Sequence, residues 1–216
     1  MAEHVAAVRE RVAGAGGEGR VTIVAVTKGF GPEAVAAAVA AGVDDVGESY
    51  AQELLAKAGA VAPPRWHFVG RLQANKVRSL AGTVSLWQSV DRPRLVDELA
   101  RRAPGARVLV QVDVSGEPSK GGCPPAGVPA LVERASSAGL EPAGLMAVGP
   151  LGPPEDARPG FRAVTALADR LGLPERSMGM SADLEVAVQE GSTMVRVGTA
   201  LFGPRPPRPG APHMGN

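Results

Sequence analysis

Cysteine and histidine are scarce in this sequence. Its 216 residues contain one cysteine, Cys123, and three histidines. A single cysteine cannot form an internal disulfide, and it cannot build a multi-cysteine metal site. His4 and His213 lie near the two ends, which leaves His67 inside the body of the chain. A histidine-rich zinc site is therefore excluded as well.

A charge excess of one sign and long hydrophobic runs are also missing. The 23 Lys and Arg residues nearly balance the 22 Asp and Glu residues, which gives a net charge of +1. This balance gives no broad electrostatic reason to expect nucleic-acid binding. The sequence has no run of about 18 apolar residues, and residues 1–4 lack the basic-then-apolar layout of a signal peptide. We therefore expect a cytoplasmic protein that binds neither nucleic acid nor membranes.

The sequence does contain a regular alternation of two patterns. Gly and Pro are frequent, at 28 and 20 residues, but 44% hydrophobic residues indicate a folded globular protein. Short apolar, β-branched segments predict buried strands. They span residues 21–26, 45–47, 66–69, 85–90, 108–114, 145–148, 176–178 and 194–197. Helix-like segments between them span residues 32–41, 50–60, 73–80, 93–102, 125–138, 161–171 and 182–190.

Eight strands that alternate with helices predict a parallel sheet, because parallel neighbours need a crossover connection. We predict an α/β protein with a closed (β/α)8 TIM barrel and an extra N-terminal helix at 3–13. A doubly wound open sheet is the alternative, but the dinucleotide glycine signature is missing after the first strand. We expect residues 1–203 to form one domain and the proline-rich residues 204–216 to form a disordered tail.

Chemistry in such a barrel lies at the C-terminal ends of the strands, and Lys28 follows the first one. An amine at the barrel mouth loses water, which lowers its pKa and suits it to imine formation with a carbonyl. The alternative is a lysine that reaches solvent at the rim or pairs with Glu48.

The loops after strands seven and eight form the usual phosphate site of these barrels. Here they contain small and hydroxyl residues, among them Ser181, Gly198 and Thr199. Their backbone N–H and hydroxyl groups can donate hydrogen bonds to a phosphate. Turn formation alone would explain the same residue types.

Arg196 lies inside the last predicted strand, where a buried charge is costly unless it is paired. It could pair with a carboxylate such as Glu48 or Asp113, or its donors could point to an acceptor on a ligand.

His67 lies in an apolar strand and is expected to be a hydrogen-bonded core residue rather than a catalyst. Cys123 follows two glycines in a loop, and we assign no chemistry to it.

A set of ordered motifs spans roughly residues 20–203. They are AVTK at 25–28, GESYAQE at 47–53, WHFVGRLQANK at 66–76, QSVDR at 88–92, SKGG at 119–122, GLMA at 144–147, SMGMS at 177–181 and GSTMVRVGT at 191–199. Together they resemble the pyridoxal phosphate homeostasis protein family, single-domain relatives of the alanine racemase barrel. The resemblance implies an alanine-racemase-like barrel that holds pyridoxal 5′-phosphate (PLP) as an imine.

The resemblance also implies roles for individual residues. Lys28 matches the Schiff-base lysine, and Arg196 matches the arginine that faces the pyridine nitrogen. Ser181, Gly198 and Thr199 match the phosphate binders. Four further residues near the strand ends are expected to contact the ring or line the pocket: Ser49, Ser89, Met146 and Met180. An arginine cannot accept a hydrogen bond, so the ring nitrogen would stay unprotonated and the cofactor would be a poorer electron sink.

The chain also departs from the family pattern. Ser49 stands where the family usually has Asn, a shorter side chain that would alter a ring contact or admit water, and Thr27 stands where Ser is common. Racemases of this fold use a tyrosine from a second domain as the opposite base. Tyr50 is the only tyrosine of this chain and follows strand two, so no second base is visible in the sequence.

We therefore expect a protein that holds PLP on Lys28 for intracellular PLP homeostasis and transfer, without strong catalysis. The alternative is a PLP-dependent amino-acid racemase or related enzyme, with Tyr50 or His67 as the opposite base. A class I aldolase that uses Lys28 without the cofactor is a third possibility. The expected partners are PLP and apo PLP-dependent enzymes as recipients, and we expect a monomer without metal. Lys120 is the next amine to test if Lys28 is not the Schiff base.

Overall fold

The computed structural model describes residues 1–205 and contains a closed barrel of eight parallel strands. The strands follow one another around the barrel in chain order, and β1 closes it by pairing with β8. They are β1 Thr22–Val26, β2 Asp45–Glu48, β3 Arg65–Phe68, β4 Val84–Val90, β5 Arg107–Val112, β6 Glu141–Ala147, β7 Glu175–Met180 and β8 Met194–Val197. The predicted (β/α)8 barrel is therefore confirmed. The predicted disordered tail, residues 204–216, lies outside the described residues except for its first two.

Helices follow the strands around the outside of the barrel. They are α1 Ala2–Gly14, α2 Pro32–Ala40, α3 Ala51–Ala58, α4 Ala74–Leu80, α5 Pro93–Arg102, α6 Val128–Ser137, α7 Arg158–Arg170, α8 Leu184–Gln189 and α9 Thr199–Phe202, with short 3-10 turns at Pro125–Gly127 and Pro154–Ala157. Pro32 and Pro93 begin their helices, where the missing N–H costs nothing. Gly42, with φ of 77°, adopts a left-handed conformation two residues after the end of α2.

The extra N-terminal helix α1 supports the loop that follows β7. Its buried residues Val5, Val8 and Val12 recur at three- and four-residue spacing and belong to the apolar cluster that contains α8 and α9 residues. Arg11 donates to Glu185 at 2.5 and 2.8 Å and to the carbonyl oxygen of Ser181 at 2.9 Å. The helix predicted at the N-terminus thus contacts one of the candidate phosphate residues.

The barrel interior combines a small apolar cluster with buried polar side chains. The apolar cluster is separate from the larger one between strands and helices and contains Val24, Leu86, Leu109, Ala143, Met146 and Met194. Beside it lie His67, Gln88, Ser177 and Arg196, all at most 5% exposed. Buried polar groups are costly unless hydrogen-bonded, so their partners matter for the site described below.

Two elements differ from the sequence expectation. Strand β6 begins at Glu141 instead of residue 145, although Pro142 and Gly144 disfavour a strand. Glycine fits at position 144 because a Cβ there would overlap the carbonyl oxygen of Glu175 on β7. The second difference is α9, whose four residues are too few to show a helical period in the sequence.

Within residues 1–205, no helix is long and apolar enough to cross a membrane. In the same residues, no three His, Cys, Asp or Glu side chains come together as possible ligands of a metal ion.

Candidate functional site

A cavity of about 340 Å³ lies at the C-terminal ends of the strands, on the axis where barrel chemistry is expected. Seven of the predicted site residues line it: Lys28, Ser49, Met180, Ser181, Arg196, Gly198 and Thr199. Four further residues contribute to its wall: Phe30, Val69, Val148 and Arg205. They were missed in the sequence, where only their position near strand ends could have indicated them. A larger cavity, of about 580 Å³, lies at the opposite end of the barrel. Residues at that end of a TIM barrel usually contribute to stability rather than to catalysis.

Two predicted pocket residues lie behind the wall of this cavity. Met146 is 1% exposed and packs in the apolar cluster inside the barrel. Ser89 is 2% exposed, and its hydroxyl has no hydrogen-bond partner among the described residues. Neither is among the residues that line the cavity.

Lys28 follows β1 and projects its amine into the cavity without an ion-pair partner among residues 1–205. Burial lowers the pKa of Lys28, and the nearby charges of Arg205 and Arg196 lower it further, whereas Glu48 raises it. The net shift is downward, so more of the amine is neutral at a given pH than in an exposed lysine. A neutral amine is the form that attacks a carbonyl.

Glu48 pairs with Lys57 rather than with Lys28, so the alternative pairing considered from the sequence is wrong. Glu48 is fully buried and accepts hydrogen bonds from Lys57 Nζ and, at 2.7 Å, from Thr27 Oγ1. Burial raises the pKa of Glu48, while the hydrogen bond and charge of Lys57 oppose that rise. Lys57 Nζ also donates to the backbone oxygen of Thr27 at 2.7 Å, one residue before Lys28. The pair therefore holds the backbone next to Lys28.

The role of Lys57 was missed in the sequence. Lys57 stands four residues after Glu53, a spacing typical of an exposed ion pair on a helix. The spacing of the helix could have indicated that Lys57 is buried, because Ala51, Leu54 and Lys57 follow one another at three-residue spacing on one face. All three are buried in the structure.

Arg196 is held by neutral acceptors rather than by a carboxylate, so the predicted alternative of an ion pair with Glu48 or Asp113 is also wrong. Its Nη1 donates to the backbone oxygen and to Oγ of Ser177, both at 2.7 Å. Its Nη2 donates to the backbone oxygen of Ala147 at 2.7 Å. Burial lowers the pKa of Arg196 to about 10, which still leaves the guanidinium charged at neutral pH.

The part of the cavity where the sequence predicts phosphate binding is built from small and hydroxyl residues. Ser181 Oγ accepts a hydrogen bond from the backbone N–H of Ala200 at 3.2 Å, which joins the loops after β7 and β8. A Cβ at Gly198 would lie 3.3 Å from the backbone oxygen of Val26, so a small residue lets β8 approach β1 here. Thr199 begins α9 and lies on the cavity wall with Gly198.

A second cavity, of about 570 Å³, adjoins the first and shares Lys28 and Ser49 with it. Arg71 and Lys76 also line it, and no carboxylate is among its lining residues. Tyr50 lies in its wall with 47% of its surface exposed. Lys28 can therefore be approached from two sides.

Comparisons with known proteins agree with this geometry. Residues 1–206 match the family described as "Alanine racemase, N-terminal domain". The chain is 42% identical over 219 residues to a "Pyridoxal phosphate homeostasis protein" of Pseudomonas aeruginosa, with 95% of this chain and 94% of that protein covered. The corresponding protein of Aquifex aeolicus is 41% identical over 203 residues, covering 88% and 89%.

A solved structure is similar over nearly the whole chain. It is PipY of Synechococcus elongatus with PLP bound, which matches with a TM-score of 0.80 and 31% identity. The match covers 94% of this chain and 99% of that one.

The buried pair of Glu48 and Lys57 generates a stability prediction. The variant Lys57→Met leaves a buried carboxylate without its cation and should destabilise the protein by about 3 kcal/mol or more. The double variant Glu48→Gln, Lys57→Met should recover most of that loss, because it removes the uncompensated charge. Urea unfolding measures both, with Lys76→Met, a half-buried lysine of the second cavity, as control. A Lys57→Met protein as stable as the Lys76→Met protein would contradict the prediction.

Proposed function

The chain belongs to the pyridoxal phosphate homeostasis protein family, and on this basis we propose that it holds PLP on Lys28 and passes it on, without strong catalysis of its own. The observation that carries the proposal is the position of Lys28. Its half-buried amine has no ion-pair partner among residues 1–205 and lies in one cavity with Arg196 and the small residues of the last two loops.

The donors in this cavity fit the cofactor group by group. When bound, the cofactor supplies an aldehyde that condenses reversibly with a primary amine, which is what Lys28 offers. The pyridine nitrogen is an acceptor, and Arg196 has only donors. The phosphate is an anion, and the hydroxyls of Ser181 and Thr199 with the backbone at Gly198 are suited to bind it. These assignments are part of the proposal.

Arg196 supports holding of the cofactor over racemisation. Its guanidinium keeps its protons at neutral pH, with a pKa of about 10. It can donate to the ring nitrogen but cannot accept a proton from it, so the ring stays neutral at that atom. A neutral pyridine withdraws electrons weakly and does little to stabilise a carbanion.

The two candidates for an opposite base differ in their surroundings. Both ring nitrogens of His67 are engaged inside the barrel, by Asp45 at 3.1 Å and by Gln88 at 2.7 Å. Tyr50 lies in the wall of the second cavity rather than the first. This arrangement favours a carrier over a racemase with a two-base mechanism.

Transfer of the cofactor needs a route by which an accepting amine can approach Lys28. We propose that the second cavity provides it, because its cationic wall leads to the same lysine. The recipients, the monomeric state and the cytoplasmic location remain predictions from the sequence, as do the ring contacts of Ser49 and Met180.

Borohydride trapping tests the proposed attachment. Purified protein loaded with PLP should show the visible absorbance band of a Schiff base, and reduction should fix the cofactor to the peptide that contains Lys28. The Lys28→Ala variant should lose both signals, whereas Lys120→Ala, the matched lysine outside the cavity, should keep them. A folded Lys28→Ala protein with an unchanged band would overturn the assignment. A colourless wild-type protein that ignores added PLP would favour the aldolase alternative.

Deuterium exchange separates a carrier from a racemase. Holo-protein incubated with amino acids in deuterated water should exchange the α-proton no faster than free PLP does, because the ring nitrogen is not protonated and neither Tyr50 nor His67 lines the cavity that contains Arg196. Nuclear magnetic resonance of the α-proton signal follows the exchange. Rapid exchange accompanied by inversion of the amino acid would establish the racemase alternative instead.

A further inference from the structure

Five side chains inside the barrel form a continuous chain of hydrogen bonds that begins at Arg196. Arg196 Nη1 donates to Ser177 Oγ at 2.7 Å, and Ser177 Oγ donates to Gln88 Oε1 at 2.7 Å. Gln88 Nε2 lies 2.7 Å from His67 Nδ1, and His67 Nε2 lies 3.1 Å from Asp45 Oδ1. We call this chain the core relay. Its members come from five strands, β8, β7, β4, β3 and β2.

Every link of the core relay is protected from solvent. Ser177 and Gln88 are fully buried, and the other three members are at most 7% exposed. Removal of one member takes a hydrogen-bond partner from its neighbour in a buried place, where an unsatisfied polar group is costly. The relay therefore acts as one unit rather than as separate pairs.

The direction of the core relay is fixed by Met194. Gln88 Nε2 also approaches Met194 Sδ, at 3.0 Å. A thioether sulfur can only accept, so the amide nitrogen must face Met194 and His67, and the amide oxygen must face Ser177. His67 Nδ1 then accepts, which requires the neutral tautomer with its proton on Nε2.

Asp45 completes the relay at the other end. Burial alone would raise the pKa of Asp45, but the hydrogen bonds from His67 and Arg65 and the charge of Arg65 outweigh it and lower the pKa. The carboxylate is therefore charged at neutral pH and accepts the proton of His67 Nε2. Every donor in the relay thus points from Arg196 towards Asp45.

The relay determines which protons of Arg196 remain free. Within residues 1–205, three of its five N–H hydrogens have acceptors, two of them in Ser177 and one in Ala147. Both hydrogens on Nη1 are used, so one hydrogen on Nη2 and one on Nε are left for an acceptor in the cavity that Arg196 lines.

We propose that Ser177 and Gln88 are positioning residues for cofactor recognition, because the core relay holds Arg196 in the orientation that offers its free N–H groups to the pyridine nitrogen. The proposal rests on the proposed function, since it deepens the role of Arg196 at the same site. Gln88 lines neither cavity that contains Lys28 and acts only through Ser177.

The first test measures PLP affinity by absorbance titration of the apo-protein. Ser177→Ala and Gln88→Met should each weaken binding by about fivefold or more, the range expected for a buried hydrogen bond. Their double variant should be no weaker than the worse single variant, because both break the same chain. The matched control is Ser192→Ala, which removes a buried hydroxyl that lies 2.9 Å from the backbone oxygens of Met178 and Met194 and can donate its one hydrogen to either. It should stay within about twofold of wild type.

A PLP analogue in which carbon replaces the ring nitrogen distinguishes two explanations for weaker binding. One is the loss of the orientation of Arg196 towards the ring nitrogen, and the other is a general disturbance of the protein structure. The relay variants should bind this analogue as well as the wild-type protein does, because it offers no acceptor to Arg196. Equal losses for PLP and the analogue, additive effects of Ser177→Ala and Gln88→Met, or equal losses in Ser192→Ala would each overturn the proposal.

The tautomer of His67 provides a readout that needs neither cofactor nor variant. In apo-protein labelled with 15N-histidine, Nδ1 of His67 should have the shift of an acceptor nitrogen and Nε2 that of a protonated one. A proton on Nδ1 would contradict the direction of the relay even if the variants fail to fold. A wild-type protein that binds no PLP but has the expected tautomer would overturn the proposed function and leave the hydrogen-bond chain intact.

Discussion

The site depends on one buried cation without a carboxylate partner. Arg196 is 5% exposed and is satisfied by Ser177 and by the backbone oxygen of Ala147, with no ion pair in residues 1–205. A charge in such a place is costly, and neutral acceptors offset the cost only while their geometry is kept. These acceptors lie on β6 and β7. Arg196, which lines the cavity, therefore also constrains the positions of these two strands.

The unpaired charge of Arg196 also acts on Lys28. With Arg205 and burial, it lowers the pKa of the amine, while Glu48 acts in the opposite direction. Lys57 opposes that effect, because its positive charge is paired with Glu48 in a buried ion pair. The cavity therefore contains two cations, Arg196 and Arg205, and an amine whose pKa is lowered, which suits the proposed ligand with its phosphate and aldehyde groups.

Much of this arrangement could be predicted from the sequence because it follows the chain. Alternating apolar strands and helices predicted the barrel, and the position of Lys28 after β1 followed from the barrel's geometry. The core relay could not be predicted, because Gln88 on β4 and Ser177 on β7 lie 89 residues apart on strands that are not neighbours. Lys57 was missed because a lysine near a glutamate on a helix normally faces solvent. Contacts across the barrel, such as that between Gln88 and Ser177, depend on how side chains from distant strands pack, and the order of residues along the chain does not indicate this.

The lowered pKa of Lys28 prepares its amine for imine formation, and this pKa can be measured in the apo-protein. The 13Cε signals of the four lysines, assigned with the Lys28→Arg variant, report the titration of each amine. We expect Lys28 to lose its proton below the ordinary lysine value of 10.5, and we expect its titration midpoint to move up when Arg196 is replaced by Met. A Lys28 midpoint at or above 10.5 would show that burial and the two arginines do not lower its pKa.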